Sequence, residues 1–157
     1  ALLRADVRQI PIAERSCAAV LVLFTAFGYF PDQDNQHTLQ GLLRLLKPQG
    51  WLVIDLPNPC HVRATLVKES QRAMADGSLL LESRWLHDAY VCKRSRWHNA
   101  EGWQEREERV RLYEASEMAQ MVHDSGGVIG SIESSLRGPQ YDDHRQVFWI
   151  QPQCAAT

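Results

Sequence analysis

The chain has 157 residues, of which 45% are hydrophobic and 23% charged, a composition typical of one folded domain with a buried core. The formal net charge of −2 gives no basic excess for nucleic acid and no acidic tail for a basic partner. No stretch reaches the ~18 apolar residues of a membrane helix, and the first residues do not form a signal peptide. We therefore expect neither a nucleic acid nor a membrane as partner.

The first third of the chain predicts two strands joined by a helix. Residues 18–24 are a continuous apolar run without alternation, which is typical of a parallel strand covered on both faces. Asp32 or Asp34 can cap the helix that follows, and residues 47–50 end it. The apolar stripe of this helix is Leu39, Leu42, Leu43 and Leu46. Residues 51–56 form the next strand, so the segment predicts a βαβ unit of a doubly wound α/β sheet.

The middle of the chain has a different pattern. Val62, Leu66 and Val67 predict a helix that runs to about Ala75. Three strands of an antiparallel meander are then predicted, with glycine-containing turns between them. Their ranges are 79–86, 90–98 and 103–113, and the turns are Asp76-Gly77 and Glu101-Gly102. Alternating charges in the third strand indicate that one face of this meander is exposed to solvent.

The last part of the chain predicts a helix and two strands. The helix covers residues 116–125, and its inward side chains are Met118, Met121 and Val122. Gly126-Gly127 ends it. The strands cover residues 128–136 and 146–151, and the connection between them contains Gly138-Pro139 and Asp142-Asp143.

Three segments could bind a ligand. In an open α/β sheet ligands bind beyond the carboxyl ends of the strands, where residues 24–30 and 55–59 are expected. The aromatic residues and hydroxyl of the first segment could hold a flat or sulfonium-bearing ligand. Composition alone favours the alternative that Phe24, Phe27 and Phe30 are core residues. Asp6 could accept a hydrogen bond from an amine, and its alternative role is in a turn or cap.

Four segments resemble the class I S-adenosylmethionine-dependent methyltransferases. Residues 5–11, Ala-Asp-Val-Arg-Gln-Ile-Pro, resemble the loop after the third strand of that family. Residues 16–30, with Thr-Ala-Phe-Gly-Tyr-Phe, resemble the fourth strand and its exit. Residues 42–50, ending in Lys-Pro-Gln-Gly, resemble the turn before the fifth strand, and residues 111–118 resemble a late Arg-x-Tyr segment with its helix.

The resemblance implies a Rossmann-like methyltransferase sheet in a single domain over residues 1–157, with the meander inserted at about 76–113 as a lid or dimer surface. It implies S-adenosylmethionine as cofactor and methyl transfer to a small-molecule acceptor. By resemblance, Asp6 would bind the adenine amino group and Val7 would offer its backbone N–H to the ring. Phe24 and Thr25 would line the methionine and methyl end, and Tyr29 would close over that end or face substrate. Asn58 and Tyr113 would touch substrate, and no catalytic residue is assigned.

The sequence also departs from the family. The first strand with its glycine-rich loop and the second strand with its ribose-binding acid are missing, and Cys17-Ala18 stand where Phe-Asp is usual. With the family's strand order of 3-2-1-4-5-7-6, residues 18–24 would form an exposed apolar edge. We therefore expect a truncated chain with weak or no activity alone, or one completed by a homodimer or partner chain through this edge or the meander.

The sequence leaves two alternatives to an active methyltransferase. A non-catalytic interaction module with a methyltransferase-like fold is favoured by the missing loop and by Ala18. A nucleotide-dependent oxidoreductase would need a Tyr-x-x-x-Lys pair or a nicotinamide pocket, and the sequence contains no such Tyr-x-x-x-Lys pair.

The cysteines indicate a reducing compartment. They lie far apart, form no Cys-x-x-Cys pair and are expected to be buried free thiols of a cytoplasmic protein: Cys17, Cys60, Cys92 and Cys154. Because no Cys/His pair has the spacing of zinc ligands, the sequence predicts no metal site.

Overall fold

The computed structural model describes residues 2–136 and 143–153, which contain three helices and eight strands. The helices are α1 (Asp32–Arg44), α2 (Pro59–Thr65) and α3 (Ala115–Asp124). The strands are β1 (Cys17–Val22), β2 (Leu46–Pro57), β3 (Glu69–Ala73), β4 (Leu79–His87), β5 (Tyr90–Asn99), β6 (Gly102–Arg111), β7 (Gly127–Glu133) and β8 (Arg145–Pro152). The expected connection residues Gly138, Pro139 and Asp142, and the expected thiol of Cys154, lie outside the described residues.

A mixed sheet with the strand order β1-β2-β8-β7 contains the predicted βαβ unit. β1 and β2 are parallel, with Val22 beside Ile54, and α1 connects them. β8 is antiparallel to both of its neighbours, β2 and β7. Because Pro57 pairs with Arg145, the carboxyl ends of β1 and β2 and the amino end of β8 meet at one edge of this sheet.

Among residues 2–136 and 143–153, β1 is an edge strand of its sheet, and the prediction that residues 18–24 are covered on both faces is wrong. Ala18 and Ala19 are exposed, and Leu21 is 61% exposed. An apolar run shows that a strand has a high tendency to be buried, but its position in the sheet depends on which other strands lie beside it. The sequence of the run alone cannot distinguish a central strand from an edge.

β2 begins at Leu46, earlier than the sequence predicts. Cys17 pairs with Leu46 but Ala19 pairs with Trp51, so the strands lose register over residues 47–50. The Lys-Pro-Gln-Gly segment that was expected as a turn is therefore an irregular part of the strand. Leu46 still lies in the core, although it follows α1 instead of belonging to its stripe.

The helix predicted at Val62 is present, but its extension to about Ala75 is wrong. α2 ends at Thr65, Leu66 is extended with a ψ of 114°, and residues 69–73 form β3. The apolar spacing of these residues favours a helix only if their side chains pack against the core. Val67 is 60% exposed, so it does not pack there. β3 instead gains backbone hydrogen bonds along the edge of β4.

A second sheet, with the order β3-β4-β5-β6, is antiparallel throughout. Oppositely charged side chains lie across from each other on β5 and β6. Arg94 contacts Glu107 at 3.0 Å and Glu105 at 3.5 Å, and Arg96 contacts Glu105 at 3.4 Å. The side chains of these pairs are about half exposed, which agrees with the prediction that one face of the sheet is exposed to solvent. Each pair therefore contributes little to stability.

The hydrophobic core lies between the first sheet and the helices α1 and α3. Its fully buried members come from both helices and from β2 and β8: Leu39, Leu52, Ile54, Leu56, Met118, Val122, Phe148 and Ile150. Met118 and Val122 are inward, as predicted for α3, and Met121 packs against the same cluster. The core therefore supports the sheet edge at which β1, β2 and β8 meet.

The thiols described by the structure are free but differ in burial. Cys92 is buried and Cys17 is half-buried, whereas Cys60 is exposed, so the expectation of a buried thiol is wrong for Cys60. Cys60 lies in the first turn of α2, on the surface of the molecule. Over residues 2–136 and 143–153, none of the helices combines the length and the apolar character needed to cross a lipid bilayer.

Candidate functional site

The backbone takes an unusual conformation where β1 ends. Phe24 and Thr25 both have a left-handed φ, of 56° and 62°, which is uncommon for residues with a side chain. Asp55 at the end of β2 holds this turn. Its Oδ2 accepts the Phe24 N–H at 3.0 Å, and its carbonyl oxygen accepts the Thr25 N–H at 3.2 Å. Two adjacent strained residues at a sheet edge are typical of a functional site.

Arg145 at the start of β8 completes the network. Its Nε donates to Oδ1 of Asp55 at 2.7 Å, its Nη2 to the Asp55 carbonyl at 3.1 Å and its Nη1 to Oγ1 of Thr25 at 3.0 Å. Asp55 is only 5% exposed, so its charge requires this partner. One guanidinium therefore ties together the ends of β1, β2 and β8.

The sequence indicated only half of this network. Residues 55–59 were expected at the sheet edge, but Arg145 was not recognised. The signal that could have found it is the carboxylate at the end of an apolar strand, because a buried carboxylate needs a cationic partner. Arg145 lies 90 positions away in the chain, so the spacing of residues does not identify it as that partner.

Residues 24–30, which follow β1 and are called the exit segment below, contain both exposed and buried aromatic side chains. Phe24 is 85% exposed and Tyr29 is 44% exposed, so both could meet a ligand. Phe27 is 3% exposed and belongs to the core, and its ring lies 6.0 Å from that of Tyr113. The two interpretations of this segment therefore apply to different residues.

Gly28 joins the exit segment to the second sheet. Its φ of +98° is a conformation that favours glycine, and its carbonyl oxygen accepts the Arg111 N–H at 2.9 Å. A Cβ at this position would lie 3.1 Å from the Arg111 carbonyl oxygen and 3.3 Å from a methyl group of Val110. The glycine thus allows the close approach of the exit segment to β6.

Asp6 lies in a short turn and is paired with Arg8. Oδ2 of Asp6 accepts from Nη2 of Arg8 at 2.7 Å, and Oδ1 accepts the Arg8 N–H at 2.9 Å. These hydrogen bonds lower the pKa of Asp6 to about 2, so its carboxylate is charged at neutral pH. The expected turn role and a role as acceptor are compatible, because a carboxylate has about four acceptor sites.

Arg8 connects this turn to the exit segment. Its guanidinium lies 4.6 Å from the centroid of the Phe30 ring, and Nη1 is 3.4 Å from Oδ2 of Asp34 in α1. Asp6 and the end of the exit segment are therefore linked through one side chain. Val7 is 37% exposed and lines a shallow cavity of about 340 Å³ beside α1.

A larger cavity lies elsewhere. It has a volume of about 630 Å³ and lies at the amino-terminal end of β2, lined by residues such as Leu46, Pro48 and Ser125. The strand exits that carry Phe24 and Asp55 do not line it. Volume alone therefore does not identify the functional site. The strained backbone and the buried ion pair instead favour the sheet edge at which the carboxyl ends of β1 and β2 meet the amino end of β8.

Asn58 and Tyr113, the two expected substrate contacts, are engaged within the protein. Oδ1 of Asn58 accepts the Cys60 N–H at 3.0 Å and caps α2, while Nδ2 donates to the Asp143 carbonyl at 2.8 Å. Tyr113 is 2% exposed. Its hydroxyl donates to Oδ1 of Asp32 at 2.8 Å and accepts from Nδ2 of Asn35 at 2.9 Å.

A buried charge lies beside Tyr113. The Arg111 guanidinium, whose side chain is 10% exposed, lies 4.8 Å from the Tyr113 ring centroid and donates to Oε1 of Glu117 at 2.6 Å. Burial on its own would raise the pKa of Glu117, but the hydrogen bonds from Arg111 and from the Glu114 N–H lower it below its ordinary value. This cluster fixes the start of α3 against β6.

The fold is that of known methyltransferases. No family model matches the sequence, and no curated protein matches it. The solved structure of the CcbJ methyltransferase from Streptomyces caelestis superposes with a TM-score of 0.77 at 14% identity, over 96% of this chain and 62% of that one. An S-adenosylmethionine-dependent methyltransferase from Clostridium acetobutylicum gives 0.74 at 12% identity, over 96% and 63%.

A third similar structure is the sugar N-methyltransferase KedS8 from Streptoalloteichus, with a TM-score of 0.71 at 17% identity over 95% of this chain and 61% of that one. The chain therefore has the α/β fold of class I S-adenosylmethionine-dependent methyltransferases. It spans about three-fifths of the length of these structures.

Proposed function

We propose that this chain is part of an S-adenosylmethionine-dependent methyltransferase that acts on a small-molecule acceptor. The order β1-β2-β8-β7, with β8 antiparallel, fits strands four, five, seven and six of the family order 3-2-1-4-5-7-6. In this assignment the antiparallel sheet β3–β6 is an insertion after the fifth strand, within a single domain. The proposal draws support from the methyltransferase fold of the chain.

The observation that carries the proposal is the strained exit of β1. The left-handed turn at Phe24 and Thr25 presents an aromatic ring that is 85% exposed, while Asp55 and Arg145 hold the backbone beneath it. An aromatic face attracts a cationic ligand such as a sulfonium. Asp6 adds a charged acceptor for an amino group, joined to the same segment through Arg8 and Phe30. These residues fit the two ends of S-adenosylmethionine.

The protein's part in the reaction would be position and electrostatics. The cofactor supplies an electrophilic methyl group on its sulfonium. Asp6 and the backbone N–H of Val7 would bind the adenine, and Phe24, Thr25 and Tyr29 would enclose the methyl end and exclude water. Such binding and orientation lower the barrier of a displacement without a dedicated base, so a catalytic dyad is not required.

The substrate of one similar structure makes the acceptor class more specific. KedS8 is a sugar N-methyltransferase. An amine on a small polar molecule is therefore the first acceptor to test with this chain. Because the chain spans about three-fifths of its structural neighbours, we expect weak or no activity from it alone.

Calorimetry with S-adenosylhomocysteine tests the proposal. We expect weak binding by this chain and tighter binding by a chain extended at its amino terminus. In the extended chain, Phe24→Ala should weaken binding about tenfold, because it removes the exposed aromatic face. Asp6→Asn should also weaken it, because the amide offers fewer acceptor sites than the carboxylate.

Matched variants control for unspecific effects. Trp103→Ala removes an aromatic ring that is 60% exposed on β6, and Asp124→Asn neutralises a carboxylate at the end of α3. Both should leave the affinity unchanged. If neither this chain nor the extended one binds the ligand, the proposal fails and the interaction module is supported.

The exposed edge of β1 favours that second function. Leu21 is 61% exposed on a strand that is paired on one side only within the described part of the chain, and such an edge can pair with another chain. If the edge binds a second copy or a partner chain, Leu21→Lys should reduce self-association in sedimentation velocity runs. Leu79→Lys places the same charge on β4, where Leu79 is 53% exposed. A larger effect of Leu79→Lys would assign the association to the antiparallel sheet instead.

A further inference from the structure

Three side chains with metal-binding atoms meet near the carboxyl end of β2. His61 lies in α2, and Asp143 and His144 immediately precede β8. Nδ1 of His61 is 3.5 Å from Oδ1 of Asp143, and the rings of His61 and His144 lie with their centroids 3.8 Å apart. One ligand atom from each of the three residues lies within 4.8 Å of the others. Two imidazoles and a carboxylate thus converge from distant parts of the chain.

Asn58 fixes the two segments that carry these side chains. Its Oδ1 caps α2 through the Cys60 N–H, which orients the helix turn that holds His61. Its Nδ2 donates to the Asp143 carbonyl at 2.8 Å, and its backbone N–H donates to the His144 carbonyl at 2.9 Å. The three groups are therefore held near each other by hydrogen bonds from the side chain and the backbone of Asn58, independently of their own contacts.

The distances are close to those of a metal centre. Ligand atoms on one tetrahedral ion, with bonds of about 2.0–2.1 Å, lie roughly 3.4 Å apart. The His61–Asp143 distance is close to this value, and the other separations among the three ligand atoms are at most 4.8 Å. For all three atoms to contact one ion, the separations longer than this value must shorten when the ion binds. The side chain of Asp143 is 83% exposed and that of His61 is 23% exposed, so an ion can enter from solvent.

We propose that His61, Asp143 and His144 bind a divalent transition-metal ion such as Zn²⁺. Imidazole nitrogen is a ligand for zinc, nickel and copper, whereas Mg²⁺ prefers an all-oxygen set. Three protein ligands leave a fourth position for water or for a ligand atom. The site is adjacent in the chain to Arg145, which holds Thr25 and Asp55, so a bound ion would lie next to the edge at which β1, β2 and β8 meet.

This site does not depend on the proposed methyl transfer. The pattern of residues along the chain gave no sign of it, because His61 and the Asp143-His144 pair are far apart in sequence. The contacts also have an explanation without metal, namely a polar contact between His61 and Asp143 and a ring contact between His61 and His144. The two explanations differ in whether the three residues bind an added ion together.

Calorimetric titration of the chelator-treated protein with Zn²⁺ distinguishes them. We expect one ion per chain, and His61→Ala, His144→Ala and Asp143→Asn should each weaken its binding by at least about tenfold. Asn58→Ala should weaken it by about tenfold, because the ligands lose their positions. Mg²⁺ at the same concentration should not compete.

The control is His123→Ala, which removes an exposed imidazole near the end of α3. It should leave the affinity for Zn²⁺ unchanged. Circular dichroism of each variant verifies that its fold is intact, and the visible spectrum of the Co²⁺-loaded protein reports the ligand set directly. The proposal is overturned if wild-type protein binds no ion, or if His61→Ala and His123→Ala weaken binding equally.

Discussion

Tyr113 has a buried hydroxyl that serves both as donor and as acceptor. It donates to Asp32 and accepts from Asn35, which is 0% exposed and also donates to the Phe30 carbonyl at 2.7 Å. Tyr113→Phe would leave these partners without the hydroxyl, and should lower the free energy of unfolding by about 1–3 kcal/mol. Tyr29→Phe, at a residue that is 44% exposed, should have almost no effect in the same urea titration.

The same residue predicts a pH dependence. Burial raises the pKa of the Tyr113 phenol above its ordinary value, and its hydrogen bond to the negatively charged Asp32 raises it further. Tyrosine in the unfolded chain ionises near pH 10, so above about pH 10 the folded state retains a proton that the unfolded state loses. This contribution to stability is complete below about pH 10 and decreases as the pH rises. Unfolding curves above about pH 10 should therefore show a steeper loss of stability in wild type than in Tyr113→Phe.

Arg145 is the partner of a carboxylate that is almost fully buried. Arg145→Met keeps the length of the side chain but leaves Asp55 without its cation, and removing one member of a buried ion pair is strongly destabilising. Because the Arg145 side chain is 30% exposed, we expect a loss of about 2–3 kcal/mol, which is below the value for full burial. Arg96→Met breaks an ion pair that is about half exposed and should cost under about 0.5 kcal/mol. Equal losses in urea titrations of the two variants would contradict a structural role for Arg145.

At the scale of elements, the sequence predicted those whose pattern is strong over many residues. α1, β2 and α3 have apolar stripes or runs that pack in the core, and all three are present close to their predicted positions. β3 was predicted as part of a helix, because five exposed residues carry no pattern of burial. What determines β3 is the free edge of β4, and a local pattern does not contain that information. The exit of β1 was recognised from its residues, but the hydrogen bond that Thr25 accepts from Arg145 depends on the sheet order.

The connection between the exit segment and β6 predicts a measurable strain at Gly28. Gly28→Ala adds a Cβ 3.1 Å from the Arg111 carbonyl oxygen at a φ of +98°, so it should lower the free energy of unfolding by about 2–3 kcal/mol. Gly102 has a φ of +105°, but a Cβ there would meet no atom within 4 Å. Gly102→Ala should therefore lower the free energy of unfolding by only about 1 kcal/mol, because alanine is less favourable than glycine at a positive φ. If chemical denaturation gives the same loss for both variants, the close approach to β6 is not significant.

At the scale of the whole molecule, the two sheets differ in how much of their surface is buried. The core cluster contains Leu52, Ile54 and Leu56 of β2 and Phe148 and Ile150 of β8. In β3 every side chain is exposed, and the buried residues of the second sheet are few: Leu80, Cys92, Val110 and Arg111. Val110 and Arg111 lie against Gly28 of the exit segment, whereas Leu80 lies toward the other end of the sheet. The sequence predicted both groups of strands except β3, but not that the apolar residues would be so unequally distributed between them.

This difference predicts that the protein opens in two stages. Native-state hydrogen exchange followed by mass spectrometry should give slow exchange for β2 and β8, close to the rate set by global unfolding, because their amides open only when the core does. The amides of β3 and β4 should exchange faster through local opening, because little apolar surface is lost when these strands separate. In Gly28→Ala, the second sheet should exchange faster still while β2 and β8 change only with global stability. If β3 exchanges as slowly as β2, the two sheets unfold as one unit and the second sheet cannot move independently of the candidate site.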